Sequence, residues 1–240
     1  MHDTSDRSID KLEMAQHFFG FGRWDAPFWF IGPEQGKGPT EAADNDLRVR
    51  AWLALGRPDI CDCRSFHDAI GENHWHRDKP RLQRTWRSLM LLLMTASGRP
   101  YDNSSLRSYQ RTLWGEGESG ETCVIELSAV AARSLTTPAE RQCFLDQRIE
   151  MIRERVRKHL PAVVVLYAVS HREHSERIAG FPLTPDRIHR RDQTLFILTP
   201  HPVAHGRRDA DWIRVGEEIR VELAVNRATK HPSSKEQETG

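Results

Sequence analysis

Four short, nearly unbroken apolar runs constrain this 240-residue chain more than any other feature. They are Pro27–Gly32 (PFWFIG), Glu121–Val130 (ETCVIELSAV), Pro161–Val169 (PAVVVLYAV) and Thr194–Pro200 (TLFILTP). Runs of this length, rich in β-branched and aromatic residues, read as strands buried on both faces, which is the habit of a parallel sheet. Helical patterns separate them. Residues 6–19 keep a stripe of Ile9, Leu12, Met14, Phe18 and Phe19, with Gly20 and Gly22 as the stop, and residues 39–55 place Leu47, Val49, Trp52 and Leu55 inward. Further helices are expected over 82–96, 137–159, 171–178 and 209–225. Strands alternating with helices predict the α/β class: a three-layer α/β/α domain with a four-stranded parallel sheet. The expected domain spans 1–228, and 229–240 (TKHPSSKEQETG from Thr229) is expected to be a disordered tail. Residues 59–80 read as a long, His-rich irregular loop, and residues 101–120 as loop or weak helix.

Charge and cysteine usage narrow the function classes. Lys plus Arg number 35 against 34 Asp plus Glu, a net charge of +1, so any anionic partner must be held by a local patch rather than by bulk attraction. The four cysteines are too few and too unevenly spaced for a disulfide scaffold, which points to reduced thiols and a cytoplasmic location. The charged start of the chain does not read as a signal peptide. The longest apolar run, beginning at Leu89, is far shorter than the roughly 20 residues of a membrane span. Cys61, Cys63, His67, His74 and His76 are metal-ligating types, but their spacing fits no common finger or ribbon, and neither a metal nor a cofactor is expected.

In open parallel sheets the binding crevice lies beyond the carboxyl ends of the strands, where strand order switches. Two post-strand turns attract attention there. Gly32-Pro33-Glu34-Gln35-Gly36-Lys37-Gly38 lets backbone approach a ligand and sets a carboxylate two residues past the strand. It has neither the P-loop spacing nor the dinucleotide G-x-G-x-x-G. Pro200-His201-Pro202-Val203-Ala204-His205-Gly206-Arg207-Arg208 is a proline-stiffened turn with two histidines four apart. Either turn alone is equally readable as ordinary structure. The loops after the other two strands, from Leu127 and from Val169, would line the same crevice.

Taken together, FIGPEQG and LTPHPVAHGR, in this order and strand context, resemble the corresponding loops of the uracil-DNA glycosylase superfamily over roughly Pro27 to Arg208. The resemblance implies an α/β/α fold and a metal-independent hydrolase of the nucleobase–sugar N-glycosidic bond. Glu34 would position the water and stabilise an oxocarbenium-like sugar. His201 would donate to the departing base. Gly32, Pro33, Gln35, Gly36, Ser128, His205 and Arg207 would bind substrate. The expected partner is DNA or a nucleotide with a modified base, taken by a monomer. Arg187, Arg190, Arg191, Arg207 and Arg208 are candidate phosphate contacts. Trp75 and Trp114 are candidate stacking platforms, beside a plainer reading as packing. The chain departs from the family at Val203, where a serine follows His-Pro, and near Ser128, where an asparagine reads the base. Glu126 is an unusual charge within a buried strand. A second reading therefore stands beside the first: a non-catalytic nucleotide or nucleic-acid binder with a retained pocket.

Overall fold

The computed structural model of the chain describes residues 4–34, 41–129 and 139–230, with side chains described for 9–33, 45–129 and 144–225. Its strands are β1 (Gly20–Gly22), β2 (Phe28–Glu34), β3 (Ile60–Cys61), β4 (Thr122–Ser128), β5 (Val163–Tyr167), β6 (Ile188–Arg191) and β7 (Thr194–Thr199). Its helices are α1 (Thr4–His17), α2 (Glu41–Ala54), α3 (Cys63–Ala69), α4 (Arg84–Ala96), α5 (Asn103–Thr112), α6 (Ala139–His159), α7 (Arg172–Ala179) and α8 (Asp209–Lys230). The α/β class is therefore as expected, but the sheet is larger: among the described residues seven strands pair in the order β3-β1-β4-β2-β5-β7-β6.

The four strands read from the apolar runs are the central ones, β4-β2-β5-β7, and they are parallel. The three extra strands lie outside them. β1 runs antiparallel to β4 and carries β3 beyond it, while β6 runs antiparallel to β7. None has an apolar run to reveal it: β1 is Gly-Phe-Gly, β3 is two residues long, and β6 is Ile-His-Arg-Arg. Gly20 and Gly22 do not simply stop a helix, which has already ended at His17. Both have positive φ, and a Cβ on either would overlap a β4 carbonyl oxygen, so only glycine lets the ribbon lie this close.

Alternation along the parallel strands divides the core into two layers. On one face Phe30, Val165 and Ile197 pack with Leu89 to Leu93 of α4 and with Trp212, Val215 and Ile219 of α8. On the other face Trp29, Ile31, Val164, Leu166 and Phe196 meet Leu145, Ile149, Ile152 and Val156 of α6 and Ile178 of α7. Full burial of each such side chain contributes about 1.5–3 kcal/mol, so the sheet is held from both sides by helices rather than by its own ladder alone.

Several sequence expectations shift. Residues 59–80 are not an irregular loop: they contain β3, α3 and a single 3₁₀ turn at Asn73–Trp75. Asp62 starts α3 by accepting from the Ser65 N–H at 2.7 Å, and Asp102 likewise caps α5, inside the stretch read as loop or weak helix. Ile9 and Leu47 were placed inward but are 58% and 42% exposed; Met14, Phe18, Val49 and Trp52 carry the buried stripes instead. Trp114 is buried against Phe30, and Trp75 hydrogen-bonds Glu72, so both pack as structure. The last helix continues to Lys230, past the expected end at Val225; residues 231–240 lie outside those described.

One buried charge ties three elements together. Arg148 of α6 is 1% exposed, and its guanidinium donates to five backbone carbonyls. Nη1 reaches Ala15, Gln16 and Phe18 at 3.0, 3.3 and 2.8 Å, Nε reaches Leu127 at 3.0 Å, and Nη2 reaches Glu126 at 2.7 Å. The first three satisfy carbonyls at and just beyond the end of α1, where a helix leaves its acceptors unpaired. The last two fix the end of β4. Phe19 lies 4.4 Å beneath the cation. Burial draws the guanidinium down to about 9, which still leaves it charged at neutral pH. Replacing Arg148 with Met keeps the stem and orphans five acceptors; stability should fall by about 3–5 kcal/mol. Arg148→Lys should recover less than half of that, because a point ammonium cannot span the fork. Urea unfolding of the three proteins is the measurement; a loss below about 1 kcal/mol in the Met variant would mean that water replaces the guanidinium.

Candidate functional site

The parallel strands run in the chain order β2, β4, β5, β7 but in the spatial order β4-β2-β5-β7, so the connection direction reverses between β2 and β5. The carboxyl ends of those two strands are where an open sheet of this kind leaves a crevice. Gly32 and Tyr167 stand at that place.

Gly32 lies on the same sheet face as Phe30, and Tyr167 on the same face as Val165. A Cβ at Gly32 would overlap Cζ, Cε2 and the hydroxyl of Tyr167, so the phenol rests directly on the Gly32 backbone. Tyr167 also meets the His201 ring edge to face, 5.7 Å between centroids and 67° between planes. The turn after the first parallel strand and the turn after the last are thus joined through one aromatic ring. Tyr167 is 6% exposed, and its phenol is held well above its ordinary range, first by burial and second by the charge of Glu126. Sequence reasoning passed over Tyr167. Its signal was available: an aromatic hydroxyl closing an otherwise aliphatic strand at the switch point.

The remaining sequence-selected residues divide cleanly. Ser128 pairs in register with Glu34 at the ends of β4 and β2 and is buried. Glu126, opposite Gly32 in the ladder, is also buried; its N–H donates to Phe19 at 2.9 Å. Pro33 follows Gly32 and is half-buried. The Glu34 side chain, and Gln35 and Gly36 altogether, lie outside the described residues. His205 and Val203 are exposed on the outer part of the last turn. Arg207 donates to Asp186 at 2.5 Å and lies 5.3 Å over Trp212. Arg190 pairs with Glu222, and Arg191 donates to the carbonyl of Ala179. Of the expected phosphate contacts these three are engaged within the protein.

His201 is tied down at one nitrogen. The N–H of Val203 donates to Nδ1 at 3.3 Å, and the N–H of Ala204 donates to the His201 carbonyl at 2.8 Å, closing the turn. Burial lowers the imidazole from 6.5, so the ring is neutral at physiological pH. A neutral ring whose Nδ1 accepts carries its proton on Nε2, and that N–H is the group available to a ligand.

Backbone strain marks the same place. Ala168, immediately after Tyr167, has φ 102° and ψ 84°, and its N–H donates to the Thr199 carbonyl at 2.9 Å. A non-glycine residue held there stores about 1–3 kcal/mol, which the surrounding turn must supply. The Thr199 hydroxyl, in register beside Tyr167, is buried with no hydrogen-bond partner among the described residues. A groove of about 670 Å³ opens at the opposite ends of the strands, lined by Ala26, Phe28, Ala162 and Gln193 among others, and contains none of the expected site residues.

Among the described residues, no helix is long and apolar enough to cross a membrane. In comparisons with known proteins, no family model matches the chain and no curated protein matches its sequence.

Two outcomes follow from this geometry. The His201 ring should titrate below 6.5 in a proton NMR titration, assigned with His201→Asn. Because the unfolded ring takes up its proton first, this histidine's share of stability is full above the unfolded value and is lost as pH falls; a titration at or above 6.5 would contradict the buried, neutral ring. Ala168→Gly should raise the stability measured by urea unfolding by about 1 kcal/mol, since glycine occupies that backbone region without strain.

Proposed function

We propose that the crevice at the carboxyl ends of β2, β5 and β7 binds a nucleobase in DNA and that the protein hydrolyses its N-glycosidic bond. The observation that carries this reading is the contact of Tyr167 with both Gly32 and His201, which makes neighbours of two turns lying almost 170 residues apart in the chain. In this reading the Glu34 carboxylate takes a proton from a water that attacks the anomeric carbon. The glycosidic electron pair leaves with the base, whose developing negative charge is met by the Nε2–H of His201. Tyr167 forms the floor under the base, and the backbone amides after Gly32 line its edge. The base must be swung out of the duplex, and stacking within the pocket offsets part of that unpairing. The likeness of these turns to the uracil-DNA glycosylase superfamily supports the reading, as do the parallel strand order and the neutral state of His201.

A second reading has its own observation. Arg207, Arg190 and Arg191 are committed to Asp186, Glu222 and a carbonyl, so three of the five expected phosphate contacts are already engaged within the protein. Together with serine at position 128, that favours a protein that binds a nucleobase or nucleotide without cleaving it.

Both readings are tested by incubating the full chain with single- and double-stranded oligonucleotides bearing uracil, hypoxanthine, xanthine or alkylated bases, and with the free nucleosides. Released base is read by chromatography and binding by calorimetry. The first reading expects release from at least one substrate, falling about 100-fold or more in Glu34→Gln and in His201→Asn, while their unfolding transitions persist. Binding without release selects the second, and neither release nor binding across the panel overturns both.

A further inference from the structure

On the face of the sheet that packs against α4, under β1, three ligating atoms converge. They are Cys63 Sγ, His67 Nδ1 and His76 Nε2. Cys63 and His67 are four apart on α3 and so share one side of that helix. His76 comes from the residue closing the 3₁₀ turn that follows. The sequence spacing Cys-x₃-His-x₈-His matches no familiar finger because its last member is supplied by the fold. Of the five metal-ligating residues noticed in this stretch, Cys61 and His74 do not join the cluster.

The triangle has edges of 3.4 Å (Cys63–His67), 3.9 Å (Cys63–His76) and 2.9 Å (His67–His76). Zinc bound to one sulfur at 2.3 Å and two nitrogens near 2.0 Å in tetrahedral geometry needs edges of about 3.4–3.6 Å. The observed edges straddle that range, so small rotations of the side chains would admit an ion. All three residues are buried, Cys63 at 0%, His76 at 2% and His67 at 5%. Their walls are aromatic: Phe21 and Trp86 lie 5.5 and 5.4 Å from His67, and Trp86 lies 6.0 Å from His76. Arg64 donates to the His76 carbonyl at 3.2 Å, and Gln110 donates to the neighbouring carbonyl of Trp75 at 2.8 Å, which holds the backbone of this turn in place.

Charge agrees with a cation. Asp62, Glu126 and the positive Arg48 are within electrostatic reach of Cys63. A thiolate at Cys63 with two neutral imidazoles is a singly negative donor set, which a divalent cation would meet. We propose that Cys63, His67 and His76 bind one zinc(II) ion per chain, which fixes α3 and the turn at His76 against β1, with the fourth coordination position taken by a non-protein ligand. The donor set of one sulfur and two imidazoles suits zinc and copper and disfavours calcium and magnesium.

The site is independent of the N-glycosidic reading and is tested without any activity. The full chain, made without a histidine tag, is analysed for metal by mass spectrometry, then stripped with a chelator and titrated with zinc or cobalt(II). The expected result is one zinc per chain as purified. Cobalt should give a sulfur-to-metal charge-transfer band in the near ultraviolet, and zinc should move the thermal midpoint of the stripped protein upward. Cys63→Ser and His76→Gln should each lower zinc affinity at least about tenfold. The titration of stripped wild-type protein decides the matter if a variant fails to fold. Stripped protein that takes up neither ion would overturn the proposal, as would stoichiometric copper with an intense visible band in place of zinc.

Discussion

The arrangement of this protein depends on a cation placed where solvent cannot reach it. Arg148 gathers carbonyls from the end of α1 and from the end of β4, two elements that share no ladder. A buried guanidinium is tolerable only if its donors are met, and here the acceptors are groups that would otherwise be orphans themselves. The mutual need specifies where α1 stops and how far β4 extends. Since β4 lies beside β2, the same contact sets the level of Glu126 and Ser128 at the rim of the crevice. Packing of the two apolar layers supplies most of the stabilisation, but it is less particular about register than five hydrogen bonds at one group.

From that frame the crevice follows by geometry. Reversal of strand order between β2 and β5 opens a gap, and the gap is partly filled by Tyr167 because Gly32 has no side chain to dispute the space. Tyr167 in turn gives the His201 ring a wall. The imidazole is oriented by backbone from its own turn, so its free N–H has a fixed direction before any ligand arrives. Preorganisation of this sort is what electrostatic stabilisation of a leaving group requires, and it serves a binding protein as well.

The central sheet was legible in the sequence because burial on both faces leaves an unmistakable run of apolar residues; Val163–Leu166 is the clearest case. The outer strands were not: β6 is a half-solvated edge strand of Ile-His-Arg-Arg, β3 is only two residues long, and β1, though buried between β3 and β4, carries a single apolar side chain between two glycines. The crevice was half legible. Turns at strand ends pointed to Gly32 and His201, but Tyr167 belongs to a strand and looked like core. The pairing of Arg207 was not legible for a different reason: a cation's partner, here Asp186, is set by tertiary approach and has no sequence period. The setting of Arg148 was hidden in the same way, and so was the convergence of Cys63, His67 and His76, whose residue types alone were noticed. The first sits in a helix full of charges, and the second in a stretch whose polar composition concealed a short capped helix.

The terminal strands of the sheet also govern how it can meet its surroundings. At one margin β3 exposes a ladder two residues long; at the other, β6 ends in Arg190 and Arg191. A foreign strand arriving at either margin would find too few backbone groups to pair with, and at β6 it would meet positive charge. Fibrillar growth by sheet extension is therefore discouraged at both ends, and self-association, where it occurs, is steered to the helical faces.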